Sequence, residues 1–456
     1  MVQEKIEKVA GAPAAVLDQA INLSRQVKRN LEKQEHIKRG REYWENLGPG
    51  WTTGASDDDP SGIATYSQAG ATYGFQLLWL APFTFPLMAV VQEMCARIGL
   101  VTGQGLAANI RDYMPRGILY VSTVLLLIAN IFNIGADLGA MSKAVMLLTP
   151  GFSFGSLVLG FTVLSLALQI FIPYDRYARY LKFLALVLFS YVLTALIINL
   201  NWRGILSRAF LPSLSFSKDQ IILVCAVLGT TISPYLFFWQ TSQEVEEGIL
   251  RQKLMPQLKS GANARNIRNM RIDVWTGMFV SNLIMFFIIV VCGAILYGRG
   301  ITNIQTSADA AAALRPLAGQ NAYLLFTLGI IGTGLLAVPI LAGSASYALS
   351  ESFGWANGLH RELKEANAFY GVIIIAMIIG LGINFVGLDT IKALIYSAVL
   401  NGLVAPVILV MIILLSNNKK IMGKYVNSGL TLILGWIITL IMVAAGLGTI
   451  ASLFIG

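Results

Sequence analysis

Eleven predominantly apolar stretches follow one another along most of the chain, with short polar segments between them. A helix needs about 20 residues to cross the roughly 30 Å hydrocarbon core of a bilayer, and each stretch is about that long. The predicted spans are residues 48–70, 75–101, 117–147, 154–172, 180–199, 220–243, 275–297, 322–350, 369–386, 389–415 and 428–454. The pattern therefore predicts an all-α integral membrane protein in contact with the lipid bilayer.

Composition supports this interpretation. Of the 456 residues, 56% are hydrophobic and only 12% are charged, whereas soluble domains carry about 25% charged residues. The net charge of +9 does not indicate nucleic-acid binding, because the basic residues lie in the short segments between apolar stretches. We expect no soluble domain large enough for a receptor or scaffold, and no obligate protein partner.

The distribution of lysine and arginine predicts the topology. If the N-terminus is cytoplasmic, 17 of these residues fall in the inside loops and 5 in the outside loops. Such a bias is typical of the positive-inside rule. We therefore expect a multi-pass protein of the plasma membrane with a cytoplasmic N-terminus and an extracytoplasmic C-terminus. Residues 1–47 are polar and basic, which predicts a cytoplasmic segment and not a signal peptide.

The first span carries three consecutive acids, Asp57, Asp58 and Asp59, followed by Pro60 and Gly62. Successive residues of a helix point about 100° apart, so the acids cannot share one face. Proline and glycine directly after them favour an interruption of the helix, which frees backbone carbonyls beside the carboxylates. Acids inside a span are costly and mark functional sites by default. This cluster suits a cation.

The sixth span has a matching irregularity, since Thr230 and Ser233 precede Pro234 and Tyr235. A proline kink without any ligand is the simpler explanation for either interruption alone. Two interrupted segments at corresponding places in two halves of a chain are, however, the best sequence indication of a transporter binding site. The pair therefore predicts a transporter.

Asp137 in the third span is a third candidate. Alternatively, it pairs with a neighbour such as Lys143 or is hydrogen-bonded to the backbone. The two histidines, His36 and His360, both lie in predicted cytoplasmic stretches. With no acid–base pair or nucleophile inside the spans, an enzyme is not indicated.

Several segments resemble the Nramp family of divalent-metal transporters. Residues 59–65 (Asp-Pro-Ser-Gly-Ile-Ala-Thr), 70–74 and 77–79 resemble the family's first span, 229–234 its sixth, and 271–273 the start of its seventh. The resemblance covers roughly residues 45–415. It implies a LeuT-type fold with two inverted five-helix repeats, expected at 48–199 and 220–415, and an eleventh helix at 428–454.

The resemblance also implies a metal site. The family's carboxylate corresponds to Asp59, its two prolines to Pro60 and Pro234, and its ligating carbonyls to Ser56 and Thr230. Three positions depart from the family: its asparagine is Gly62 here, its methionine is Ser233 and its histidine is Tyr235. The family's aspartate in the third span matches Asp137, but the glutamate one turn later is Ala140. Asp57 and Asp58 are expected as auxiliary acids.

These departures change the expected cargo. A thioether favours softer ions such as manganese and iron, and its replacement by a hydroxyl leaves only oxygen ligands. Magnesium prefers oxygen, loses its water reluctantly and usually keeps several waters. We therefore expect a carrier for largely hydrated Mg²⁺, with Mn²⁺ as a second substrate, uncoupled or weakly coupled to protons, and no cofactor beyond the transported ion. The alternatives are a proton-coupled Mn²⁺/Fe²⁺ carrier and a sodium-coupled amino-acid carrier on the same fold.

Overall fold

The computed structural model describes residues 48–172, 186–215, 217–254 and 262–454. Within these ranges every regular element is helical. The predicted N-terminal segment and the first residues of the predicted fifth span, 180–185, lie outside the described residues.

Fifteen helices form the framework. They are α1 Pro49–Asp57, α2 Pro60–Tyr73, α3 Leu80–Thr102, α4 Leu106–Tyr113, α5 Arg116–Leu148, α6 Phe154–Phe171, α7 Phe189–Ile197, α8 Trp202–Phe210, α9 Lys218–Thr231, α10 Pro234–Leu254, α11 Ala264–Ile295, α12 Ala322–Phe353, α13 Asn367–Ile383, α14 Thr390–Ser416 and α15 Gly429–Phe454. The connections contain three short helices, Ser307–Ala311, Arg315–Ala318 and Lys419–Met422, and a few 3-10 turns.

A helix lies at each of the eleven predicted spans. In the described part of the chain, eight helical segments are long and apolar enough to cross a membrane, and two shorter apolar helices cover Leu186–Ile197 and Asn367–Ile383. The remaining predicted span, the first, consists of α1 and α2. It is missing from the long helices because it is divided at its acidic residues.

Both predicted interruptions are present. Asp59 between α1 and α2 is extended, with φ −67° and ψ 171°, and Pro60 occupies the first position of α2, where a missing N–H costs nothing. The second interruption separates α9, which ends at Thr231, from α10, which begins at Pro234. Local chemistry therefore explains both breaks, since proline cannot continue a helix without losing a hydrogen bond.

The broken helices pack against continuous ones. Helices α1 and α2 lie against α11, and α9 lies against α14. Glycine permits both approaches: a β-carbon on Gly54 would collide with the Gly277 carbonyl of α11, and one on Gly229 would collide with the Ala398 carbonyl of α14. The N-terminus of α1 is held by Asp273, whose carboxylate accepts hydrogen bonds from the backbone N–H of Gly50 at 2.7 Å. Close backbone packing thus fixes the position of both breaks.

Candidate cation site

The two helix breaks meet inside the protein. The Ser61 and Thr230 hydroxyl oxygens are 3.4 Å apart, and the Tyr235 hydroxyl donates to the Ser56 carbonyl at 3.1 Å. The predicted side chains at the breaks are all buried, with no more than 1% of their surface exposed: Ser56, Asp57, Asp58, Asp59, Thr230, Ser233 and Tyr235. The structure therefore brings together polar residues that are far apart in the sequence.

Asp59 is held in place by donors from three directions. Its Oδ1 accepts from the Ser61 hydroxyl at 2.7 Å and from the Gly62 backbone N–H at 2.7 Å. Its Oδ2 accepts from Asn133 Nδ2 of α5 at 3.0 Å. A carboxylate oxygen has two lone pairs, so capacity for a further ligand remains on Oδ2. Asp59 thus both caps α2 and presents an oriented charge at the break.

Gly62 faces the space between the breaks. A β-carbon at this position would lie 3.2 Å from Thr230 Oγ1, 3.3 Å from the Asp57 carbonyl oxygen and 3.4 Å from Asp59 Oδ1. Any longer side chain would therefore extend among the oxygens of the candidate site. The glycine keeps that space free of side-chain atoms.

The Ser233 hydroxyl lies close to backbone carbonyls at the end of α9. It donates to the carbonyl of Gly229 at 2.8 Å and approaches that of Thr230 at 2.7 Å, and these carbonyls precede the break. Ser233 thereby satisfies the Thr230 carbonyl, which Pro234 leaves without a helical partner, and the Gly229 carbonyl one residue earlier. The Thr230 carbonyl keeps a second lone pair.

Asp57 and Asp58 lie against α11, whereas Asp59 contacts α5. The Ser281 hydroxyl of α11 donates to Asp57 Oδ2 at 2.5 Å and lies 3.4 Å from Asp58 Oδ1. Asp57 Oδ1 has no hydrogen-bond partner in the described structure. Accordingly, the described residues contain no group of three or more acidic, histidine or cysteine side chains placed to hold one metal ion. A cation at the breaks would rely on Asp59 together with carbonyl and hydroxyl oxygens.

Asp137 lies on α5, one helical turn beyond Asn133, and is fully buried. Neither of its carboxylate oxygens makes a hydrogen bond of ordinary geometry within the described ranges. The alternative pairing with Lys143 is absent, because the Lys143 ammonium lies 5.0 Å above the centre of the Phe154 ring. Asp137 therefore lacks a counter-charge among the described residues, while the Ser61 backbone N–H approaches it, which is the second alternative expected from the sequence.

Sequence reasoning did not single out three polar residues near the breaks, Asn133, Ser281 and Asn401. Asn401 of α14 is fully buried, and neither its amide oxygen nor its nitrogen has a partner among the described residues. Asn401 lies three residues after Ala398, whose carbonyl packs against Gly229 of α9. The sequence could have indicated Asn401, because an amide side chain inside an apolar span is energetically costly in a membrane.

Comparisons with known proteins agree with the resemblance. A family model described as natural resistance-associated macrophage protein-like, Nramp, matches residues 50–452. The chain is 27% identical over 411 residues to the divalent metal cation transporter MntH of Aeromonas hydrophila, a match that covers 87% of this chain and 93% of that relative.

Solved structures share the fold. The manganese transporter of Eremococcus coleocola, crystallised with an aromatic bis-isothiourea compound, superimposes with a TM-score of 0.67 at 18% identity over 89% of this chain and 86% of that one. Mhp1 in its inward-facing conformation matches with a TM-score of 0.52 at 16% identity over 89% of this chain and 90% of that one. These likenesses confirm the expected all-α LeuT-type fold, with two inverted five-helix repeats and an eleventh helix. The chain belongs to the Nramp family and is a multi-pass membrane transporter, not an enzyme.

Proposed function

We propose that this transporter carries divalent cations by alternating access, with largely hydrated Mg²⁺ as its main cargo and Mn²⁺ as a second one. Transport is uncoupled or weakly coupled to protons. The cargo class follows that of two similar proteins, a divalent metal cation transporter and a manganese transporter. The protein resides in the plasma membrane with its N-terminus in the cytoplasm and its C-terminus outside.

The ligand chemistry at the two breaks supports magnesium. Asp59 offers a carboxylate, while Ser56 and Thr230 offer carbonyl oxygens with a free lone pair. Neither Gly62 nor Ser233 supplies a nitrogen or sulfur ligand, and the Met285 thioether beside the second break accepts from the Thr231 hydroxyl at 3.8 Å. Hard oxygen ligands suit Mg²⁺, and Gly62 places no side-chain atom among these oxygens that would exclude the waters that Mg²⁺ retains.

The charge distribution supports a cation of high charge. The acids Asp57, Asp58, Asp59 and Asp137 are all buried, and none forms an ion pair in the described part of the chain. Buried carboxylates without compensation are strongly unfavourable. A divalent cation supplies two positive charges at once. The same acids would repel the carboxylate of an amino acid, which disfavours the sodium-coupled alternative.

Uptake into liposomes tests the proposal, with Mg²⁺ and Mn²⁺ measured separately while internal pH is recorded. We expect Asp59→Ala to abolish uptake of both ions. A matched control is Asp112→Ala, because Asp112 is an exposed acid that pairs with Arg111; this variant should transport normally.

Three results would redirect the interpretation. Failure of excess Mg²⁺ to compete with Mn²⁺ would refute the magnesium preference. Strong acidification of the interior during metal entry would favour the proton-coupled Mn²⁺/Fe²⁺ carrier. Uptake of a radiolabelled amino acid that requires sodium would instead support the amino-acid carrier.

A further inference from the structure

The Asn133 side chain has one hydrogen-bond partner and one unpaired atom. Its Nδ2 donates to Asp59 Oδ2 at 3.0 Å, and its Oδ1 has no partner among the described residues. The side chain is fully buried, and an unsatisfied amide oxygen is costly in such a place. An occupant that carries positive charge or donates a hydrogen bond would remove this cost.

The face of α5 that carries Asn133 is turned towards the first helix break. Asp137 follows Asn133 at four-residue spacing, so the two side chains lie on one face of α5. The Ser61 backbone N–H approaches the Asp137 carboxylate, while Asn133 itself contacts Asp59. Neither acid forms an ion pair in the described part of the chain. This face therefore presents oxygen atoms to the break with no counter-charge, which favours a cation over a neutral donor such as water.

The Asn133 amide can exchange its nitrogen for its oxygen at the same position. The two ends of a carboxamide are nearly alike in size, so a half-turn about the Cβ–Cγ bond swaps them. The contact with Asp59 is the one hydrogen bond that the half-turn breaks in the described structure, because Oδ1 has no partner to lose. Two acceptors side by side repel each other, so the donor orientation is favoured until a cation lies between them.

The separation of Asn133 and Asp59 suits two ligands of one octahedral cation. Ligands about 2.1 Å from Mg²⁺ and at right angles to each other are about 3.0 Å apart. Asp59 Oδ2 and Asn133 Nδ2 lie 3.0 Å apart. The length of this hydrogen bond therefore coincides with an octahedral edge. The half-turn alone would place an amide oxygen at the spacing of a second ligand, with no shift of either backbone.

We propose that Asn133 is a cation ligand whose amide turns over on binding, so that its Oδ1 and Asp59 Oδ2 hold the same ion. This inference rests on the proposed function, because it requires a divalent cation at the breaks, and it adds a ligand from a helix that contains neither break. Asp59 lies between α1 and α2, whereas Asn133 lies on the continuous helix α5. A bound cation therefore links the first broken helix to α5.

The burial of both side chains agrees with a carrier that closes around its ion. Asp59 is 1% exposed and Asn133 is not exposed at all, so an ion reaches them only after the surrounding helices move apart. Separation of α5 from the first broken helix opens the contact between Asn133 and Asp59, since that contact joins the two elements. Closure with an ion present would restore the contact through the ion.

Electron–nuclear double resonance on bound Mn²⁺ tests the proposal. The full-length protein carries a magnetic carbon isotope at the side-chain carbonyl of asparagine and is loaded with Mn²⁺ alone. We expect the carbon coupling of a directly ligated amide in the native protein and its loss in Asn133→Asp. The matched control Asn130→Leu should keep the coupling, because the Asn130 amide donates to the Leu341 carbonyl of α12. Bound Mn²⁺ without the coupling in the native protein, or with the coupling retained in Asn133→Asp, would overturn the ligand role and leave the divalent-cation function standing.

Equilibrium titration with Mn²⁺ separates a ligand from a mere support for Asp59. Asn133→Leu removes both the donor and the oxygen and should weaken binding at least about tenfold. Asn133→Asp cannot donate but supplies an oxygen, so it should bind Mn²⁺ at least as tightly as the native protein. If Asn133 acts only by donating to Asp59, Asn133→Asp should bind no better than Asn133→Leu, because its carboxylate repels Asp59, and that result would refute the proposal.

The two measurements also separate this inference from the proposed function. If Asn133→Leu fails to fold, the spectra of the native protein and of Asn133→Asp decide the matter. A native protein that binds neither Mn²⁺ nor Mg²⁺ would refute the proposed function itself, and with it the ligand role of Asn133.

Discussion

Replacing Gly62 with asparagine tests whether the cargo passes the breaks with its water. The added β-carbon would already lie 3.2 Å from Thr230 Oγ1 and 3.4 Å from Asp59 Oδ1. The carboxamide beyond it must extend between the breaks, where it would take the volume of roughly two of the cargo's waters at about 30 Å³ each. Its oxygen can replace only one of them as a ligand.

The expected reduction in Mg²⁺ uptake follows from the water-mediated contact to a charged group that is lost. A hydrogen bond to a charged group contributes about 1.5–3 kcal/mol, which corresponds to roughly 10- to 150-fold in binding. Mg²⁺ parts with its waters reluctantly, so we expect Gly62→Asn to reduce Mg²⁺ uptake by at least about tenfold. Mn²⁺ uptake should change much less, and the preference between the two ions should reverse.

The assay is competitive uptake into liposomes, with both ions present and the initial rates compared. Gly62→Ala adds only the β-carbon and should have an intermediate effect. Gly382→Asn is a matched control, because no atom lies within 4 Å of a β-carbon at that position on α13. If folded Gly62→Asn keeps the native ratio of Mg²⁺ to Mn²⁺ uptake within twofold, the hydrated-cargo reasoning is wrong.

Three further changes test how the breaks are supported. Gly229→Ala should destabilise the protein by about 3 kcal/mol or prevent folding, because its β-carbon would collide with backbone atoms of Gly402; thermal unfolding measures this. Asp273→Ala removes the acceptor for the first N–H groups of α1, at a cost of about 1.5–3 kcal/mol per charged hydrogen bond, and should increase thiol labelling of an introduced Ala55→Cys severalfold. Asp137→Asn should raise the melting temperature by a few degrees, since it removes a buried uncompensated charge, while it lowers cation uptake.

Controls separate these effects from general damage. Gly160→Ala adds the same β-carbon in open space and should not affect unfolding. The native cysteines are buried and free, so labelling reports the introduced thiol, and Asp273→Asn should give a smaller increase because its amide oxygen still accepts a hydrogen bond. Unchanged labelling in Asp273→Ala would show that α1 is held by other contacts. A less stable Asp137→Asn variant would contradict the view that this charge is uncompensated.

The sequence alone determined the membrane class, the span positions and both breaks. Length and apolarity decide whether a segment spans a bilayer, and proline interrupts a helix through its own missing N–H, so Pro60 and Pro234 act locally. Only the tertiary structure decided how the acids are used. It directs Asp59 towards Asn133 of α5 and Asp57 towards Ser281 of α11, and it commits the Ser233 hydroxyl to its own helix. These pairings join residues up to 224 positions apart. They depend on which helix faces are packed together, and no local pattern along the chain encodes that choice.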